Sequence, residues 1–171
     1  MDRSTNEYPS MRNTGFILQA RMGSTRLPGK MAMPFWNGLS IPQIIIRSLK
    51  QAFPEIRIIL ATSDRSLDDP LQTLVENEGI HCFRGSESNV LKRFVDAAHA
   101  HQLDSIVRVC ADNPFLSMRS MKTLLENADE NNDYVSFAFP DGTPVMKSHI
   151  GMFAEWVRVS LLESILGQTH E

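Results

Sequence analysis

Short apolar runs alternate with amphipathic helical patterns along most of this chain, and that alternation restricts the fold more than any other feature. Phe16–Ala20 reads as a first strand. Ile41–Phe53 reads as a helix whose Ile45, Leu49 and Phe53 share a core face, with Ser40 as its cap and Pro42 in its first turn. Ile56–Ala61 has almost no polar break, as a strand buried on both faces requires. Ser66 and Asp69 form a capping box ahead of a helix that carries Leu71, Leu74 and Val75, and Gly79 closes it. Ile80–Phe83 is a short strand. Ser88 caps a helix with Val90, Leu91, Phe94, Val95 and Ala98 in one stripe, and Ser105–Cys110 is again an apolar strand. A helix over Ser117–Asn131 turns Met118, Met121, Leu124, Leu125 and Ala128 inward, its methionines reading as core rather than ligand surface. Tyr134–Phe139 reads as a strand, Val145–Phe153 as extended chain and Val159–Leu166 as a last short helix.

Units of strand and helix joined by short loops build a mostly parallel sheet with helices on both faces. The expected fold is therefore α/β, a three-layer α/β/α Rossmann-like sandwich. The 171 residues suffice for one domain with a full core, expected over 15–171 behind a flexible tail at 1–14. That tail lacks the apolar centre of a secretory signal. A net charge of -3 implies no general affinity for nucleic acid. No apolar run approaches the roughly 18 residues of a membrane span. Cys82 and Cys110 both fall in strand patterns and read as free, buried thiols of a reducing compartment, without zinc-site spacing. The expected location is the cytoplasm.

In open α/β sheets, ligands bind where strands hand over to loops at their carboxyl ends. That rule selects the loop after the first strand, Thr62-Ser63-Asp64 and Ala111-Asp112-Asn113-Pro114. The first of these, Gln19-Ala20-Arg21-Met22-Gly23-Ser24-Thr25-Arg26-Leu27-Pro28-Gly29-Lys30, combines glycines, hydroxyls and the cations Arg21, Arg26 and Lys30. Glycines let backbone amides approach an anion and the cations neutralise it. A Walker A loop is excluded, because Pro28 stands where its second glycine belongs and Met31 follows Lys30. The dinucleotide fingerprint is excluded by Thr25. The bland alternative is an ordinary basic surface loop. At the Arg108–Pro114 segment, Asp112 follows a buried strand and can hold Mg²⁺, with phosphates and water as the remaining ligands. Its alternative is a turn or cap residue, since Asp-Asn-Pro is a good turn. A basic loop for a triphosphate and an acid for its metal are the minimum equipment of nucleotidyl transfer. Lys147 and His149 alternate on one side of an extended stretch, which suits an acidic sugar and equally suits a solvated strand edge.

Segments 19–30, Ala-Thr-Ser-Asp at 61–64, Phe-Arg-Gly-Ser-Glu at 83–87 with Val90–Phe94, and Arg108–Pro114 together resemble the cytidylyltransferase family of CMP-sugar synthetases. The branch most resembled is that of spore coat polysaccharide biosynthesis protein F. The order and spacing match over roughly residues 15–150. The resemblance implies a nucleotidyltransferase of the glycosyltransferase-A type that joins CMP from CTP to a sugar, with Mg²⁺, and releases pyrophosphate. It implies that Ala20 and Arg21 lie near the base and that Gly23, Ser24, Arg26 and Lys30 hold the triphosphate. Asp112 would bind the metal, and Arg108 would sit near nucleotide or sugar as a catalytic partner of Lys30 and Asp112. Gly85, Ser86, Glu87 and Asn89 would lie on the sugar side. It also implies a homodimer, and a C-terminal part of the family that this sequence lacks. Two other readings stand beside it. A glycosyltransferase of the same fold would need an Asp-x-Asp motif, for which only Asp68-Asp69 and Asp129-Glu130 offer approximations. A non-catalytic nucleotide-binding module would keep the loop without the transfer.

Overall fold

The computed structural model describes residues 13–24, 27–148 and 152–169. Its six-stranded sheet consists of β1 (Thr14–Gln19), β2 (Arg57–Ser63), β3 (His81–Gly85), β4 (Ser105–Cys110), β5 (Tyr134–Val135) and β6 (Glu155–Arg158). The helices are α1 (Ile41–Ala52), α2 (Asp69–Asn77), α3 (Val90–Ala100), α4 (Met118–Asn127) and α5 (Val159–Gln168). The strand order is β3-β2-β1-β4-β6-β5. The first four strands are parallel, and β6 runs antiparallel to both β4 and β5. The chain progresses from β1 outward to β3 and then returns to the other side of β1. That reversal leaves a switch point between β1 and β4, where such sheets open a crevice.

Alternation along the strands explains the layers. Phe16, Leu18, Ile58 and Leu60 face one side and pack with Ile45, Leu49, Leu71, Val75, Met121 and Leu124 of α1, α2 and α4. Ile17, Ile59, Ala61 and Ile106 face the other side, against Phe94 and Ala98 of α3 and Val159 of α5. Both faces are buried, which is why the central strands carry almost no polar residues. The methionine stripe of α4 is core: Met121 is 1% exposed and Met118 packs against the same cluster.

Several element details differ from the expectations. Gln43 Oε1 accepts from both the Ser40 amide and the Ser40 hydroxyl, each at 3.0 Å, fixing the start of α1. No capping box joins Ser66 to Asp69. Ser66–Asp68 form a 3₁₀ turn, and α2 begins after it with Asp69 paired to Arg84 at 2.5 Å. Gly79 does end that region in a left-handed conformation, with φ of 66°. The cap of α3 is Asn89, not Ser88: its side chain accepts from the Lys92 amide at 2.8 Å. Helix α4 stops at Asn127, four residues before the expected Asn131. The expected strand over Tyr134–Phe139 shrinks to Tyr134–Val135, because the chain turns at Pro140-Asp141-Gly142 and bridges Ala138 to Pro144 instead. Val145–Lys147 form a 3₁₀ turn rather than extended chain, so the alternation that paired Lys147 with His149 does not apply at Lys147. Cys110 is exposed, since it is the last residue of β4 and emerges at the sheet's carboxyl edge; Cys82 is half-buried. The tail residues 1–12, Arg26 and His149 lie outside the described residues.

Candidate active site

The two loops singled out by the sequence meet at the switch point. β1 and β4 pair from Thr14↔Ser105 to Gln19↔Cys110, and the Ala111 amide adds a bond to Gln19 O at 3.1 Å. Just past this last rung lies a pocket of roughly 510 Å³, lined by Gln19–Arg21, Gly23, Ser24, Leu27, Lys30, Met31, Cys110 and Asp112. Backbone pairing thus aligns the ends of two strands, and each strand contributes one wall. Ala20, only 2% exposed, belongs to the core and to the pocket floor at once. Arg21 is exposed. Lys30 Nζ reaches Asp112 Oδ2 at 3.3 Å.

The loop after β1 closes on Met22. Its carbonyl accepts from the Ser24 amide at 2.8 Å and the Gly29 amide at 3.3 Å. Gly29 has φ of 75°, a conformation in which glycine carries no steric penalty. The Leu27 amide donates to Ser24 Oγ and the Lys30 amide to Leu27 O, both at 3.3 Å. Among the described residues of segment 21–24, the amides of Arg21 and Gly23 make no hydrogen bond to protein. A Cβ added at Gly23 would meet only Leu67 Cδ2, at 3.8 Å. Gly23 therefore answers no demand of the fold itself.

Other sequence-selected residues are engaged elsewhere. Arg108 does not line the pocket. Its Nε donates to Glu155 on β6, and the Tyr134 hydroxyl donates to the same carboxylate at 2.5 Å. Burial, followed by the bond to Glu155, raises the Tyr134 phenol. Gly85 ends β3, two strands away from β1, and Ser86, Glu87 and Asn89 lie in the connection that follows it to α3. Ser86 Oγ accepts from the Asn89 amide at 3.0 Å, and Glu87 pairs with Arg65 at 2.9 Å. Gly85 is packed tightly: an added Cβ would stand 2.9 Å from Phe83 Cε1 and 3.2 Å from Arg93 Cγ. Lys147 is exposed on its 3₁₀ turn.

The burial of two charged residues was not expected from the sequence, which offered Asp68 only as part of an approximate Asp-x-Asp pair. Asp68 is 2% exposed and Arg93 is 3% exposed. Arg93 donates from Nη1 to Ser86 O at 2.5 Å. Burial lowers its guanidinium from the ordinary arginine value, opposed by the nearby carboxylates of Asp68 and Asp64. Arg93 follows Val90 by three residues and precedes Ala97 by four, so a charge on the inward stripe of α3 was the available signal.

No group of three or more His, Cys, Asp or Glu side chains suited to a metal occurs among the described residues. The donor set still fits Mg²⁺. That ion is commonly held by one or two carboxylates and completed by substrate phosphates and water, and Asp112 is a half-exposed carboxylate facing the basic loop. No helix of the described residues is long and apolar enough to cross a membrane.

A mostly parallel α/β sheet with a basic-lined pocket at its switch point is the arrangement in which open sheets of this class bind ligands. The cytidylyltransferase family model matches residues 16–148, and the chain belongs to that family. It is 34% identical over 159 residues to spore coat polysaccharide biosynthesis protein SpsF of Bacillus subtilis, covering 91% of this chain and 63% of that protein. It thus spans less than two thirds of this relative's length. A cytidylyltransferase from Leptospira borgpetersenii superposes with a TM-score of 0.78 at 28% identity, covering 93% of this chain and 66% of the other. A CMP:2-keto-3-deoxy-manno-octonic acid synthetase, solved in complex with CTP, shares the fold with a TM-score of 0.70 at 17% identity, over 94% of this chain and 80% of that one.

Proposed function

We propose that this chain binds CTP in the pocket between β1 and β4 and transfers its cytidylyl group to a sugar destined for a surface polysaccharide. The observation that carries the reading is the meeting of Arg21, Lys30 and Asp112 around one pocket, in a chain of the cytidylyltransferase family. The name of the SpsF relative supports the polysaccharide context. In this reading a sugar hydroxyl oxygen bonds to the α-phosphorus of CTP while the bond from that phosphorus to the bridging oxygen of the β-phosphate breaks. Pyrophosphate leaves and the hydroxyl proton passes to solvent.

The chain's own residues supply position and charge. In this reading Arg21 and Lys30 face a triphosphate of about four negative charges, and the same loop sequence carries a third cation, Arg26. The amides of Arg21 and Gly23, which make no bond to protein among the described residues, are the loop's donors for an anion in this reading. On binding, Lys30 exchanges its carboxylate partner Asp112 for phosphate oxygens. Asp112 would then hold Mg²⁺, whose positive charge offsets the charge that builds on the leaving phosphates. Excess positive charge matters more here than any single acid or base, because phosphoryl transfer depends chiefly on alignment and charge neutralisation.

A thermal-shift panel of CTP, UTP, ATP and GTP, each with and without Mg²⁺, tests this directly. The expected result is a rise in melting temperature with CTP that is largest in the presence of Mg²⁺. Absence of stabilisation by every triphosphate would sink the proposal. Pyrophosphate release, assayed with CTP and a series of sugar acids, then tests the transfer itself.

A further inference from the structure

Asp68 is a buried carboxylate that the pocket does not contain and the proposed transfer does not use. It stands at the N-cap of α2, beyond the end of β2. Its Oδ1 accepts from the Met22 amide at 2.7 Å, across 46 residues of sequence. Its Oδ2 accepts from the Ser63 hydroxyl at 2.5 Å and the Ser63 amide at 3.2 Å. Burial pushes its carboxyl up, but the bonds from Ser63 and the Met22 amide outweigh that and hold it below the ordinary aspartate value. The group is ionised and satisfied, with the buried Arg93 adding a favourable field.

The contact to Met22 is the important one. Among the described residues, it is the single hydrogen bond from segment 21–24 to any part of the protein outside its own loop. Met22 is also the hub of that loop, because its carbonyl gathers the Ser24 and Gly29 amides. An anchored Met22 amide therefore fixes the residues on both sides of it. The same bond withdraws that amide from the donors offered to an anion.

We infer that Asp68 is the positioning residue of the anion-binding loop, placing Arg21, Gly23 and Ser24 through the Met22 amide without itself touching ligand. The inference rests on the reading of the pocket as a triphosphate site. An Asp in the first turn of a helix usually serves that helix by favouring its positive end. Here the Asp68 carboxylate makes no side-chain cap bond to α2 and turns instead to β2 and the loop. Its effect should therefore appear in the loop rather than in the helix.

The test combines amide hydrogen exchange with CTP affinity on the full chain. In the wild type, the Met22 amide should exchange as slowly as amides of β1, and faster exchange at Gly23 should mark the free donor. In Asp68→Ala, exchange at Met22 should accelerate at least about tenfold while the β1 and β4 amides hold, and the Kd for CTP with Mg²⁺ should rise roughly tenfold. Asp68→Asn keeps an oxygen acceptor for the Met22 amide, so it should recover most of both losses. Unchanged Met22 exchange in Asp68→Ala, or unchanged CTP affinity despite a loosened amide, overturns the assignment. If Asp68→Ala does not fold, the wild-type exchange decides, because a Met22 amide as open as that of Gly23 excludes the clamp. Failure of the wild type to bind any triphosphate overturns the functional reading first, and is seen before a variant is made.

Discussion

Lys30 Nζ and Asp112 Oδ2 lie 3.3 Å apart, although 82 residues of chain separate them. Each stands in the loop that leaves one of two neighbouring parallel strands. The side chains are 30% and 50% exposed, so solvent screens the pair and it contributes only about 0–1 kcal/mol to the free protein. Its importance lies in what each partner does once the other is taken away by ligand.

Lys30→Ala should therefore leave the melting temperature of the free protein nearly unchanged and abolish its rise with CTP. Asp112→Asn should keep binding of CTP alone and remove the extra stabilisation from Mg²⁺. Differential scanning fluorimetry on both variants, with nucleotide and metal added separately, checks the pair of outcomes. A large loss of basal stability in Lys30→Ala would contradict a screened surface contact.

Gly23→Ala separates fold from binding at one position. The added methyl meets only a contact of 3.8 Å to Leu67, so denaturant midpoints should match the wild type within error. Room for a ligand above the Gly23 amide should shrink, and CTP affinity should fall about tenfold. Calorimetric titration of the variant measures it, and unaltered affinity would show that the ligand does not approach this amide.

Gly85→Ala should behave in the opposite way. Its Cβ would press on Phe83 and on the buried stem of Arg93, at 2.9 and 3.2 Å. Overpacking of this kind costs about 1–3 kcal/mol. Urea denaturation should show that loss. A variant that kept full stability while losing acceptor-sugar binding would instead assign Gly85 to the sugar side.

Cys110 offers a chemical reporter of the pocket. It lines the pocket beside Asp112, whereas Cys82 lies apart on β3; burial pushes both thiols up, that of Cys82 to about 11. With Cys82→Ser as background, maleimide labelling followed by mass spectrometry should slow several-fold when CTP and Mg²⁺ are present. Labelling of Cys110 at an undiminished rate under saturating CTP would place the nucleotide elsewhere.

Acid should loosen the packing of α1 on α2 through Glu78. Bonds from Arg47, at 2.8 and 2.9 Å, lead the causes that hold this carboxyl below the ordinary glutamate value; burial opposes them. A carboxyl lowered in the folded state contributes stability at pH above its unfolded value. That contribution disappears as pH falls from the ordinary glutamate range through the lower folded value. Urea midpoints across that window should drop more steeply for the wild type than for Glu78→Gln.

Much of the fold was legible because burial on both faces leaves so little freedom in composition. Ser105–Cys110 was read to the residue, and Ile41–Phe53 to within one residue, since apolar periodicity and flanking caps agreed there. The region after Asn127 was not legible. Its apolar residues Tyr134, Val135, Phe137 and Phe139 suggest a strand, yet only the first two pair with β6, and β6 itself had no separate signal. Short antiparallel edge pairs depend on which distant segment arrives beside them, and periodicity is silent on that. At the candidate site, the two loops were recognisable by their charge and strand-end placement. Asp68 was not, because a helix-start aspartate looks the same whether it serves its own helix or a loop 46 residues away. The Arg108 contact was hidden for a related reason: its partner Glu155 belongs to the strand that left no signal.

The parallel rungs from Thr14↔Ser105 to Gln19↔Cys110 act as a caliper. They determine the jaw width between the two loops by backbone register alone, independent of any loop side chain. Slipping one strand by a single residue would move one jaw by about 3.3 Å and turn its side chains to the opposite face. Loop sequences on this scaffold can therefore drift toward new ligands while the gap they span stays constant. An insertion inside β1 or β4, by contrast, would disable the site even if every charged residue around the pocket were retained.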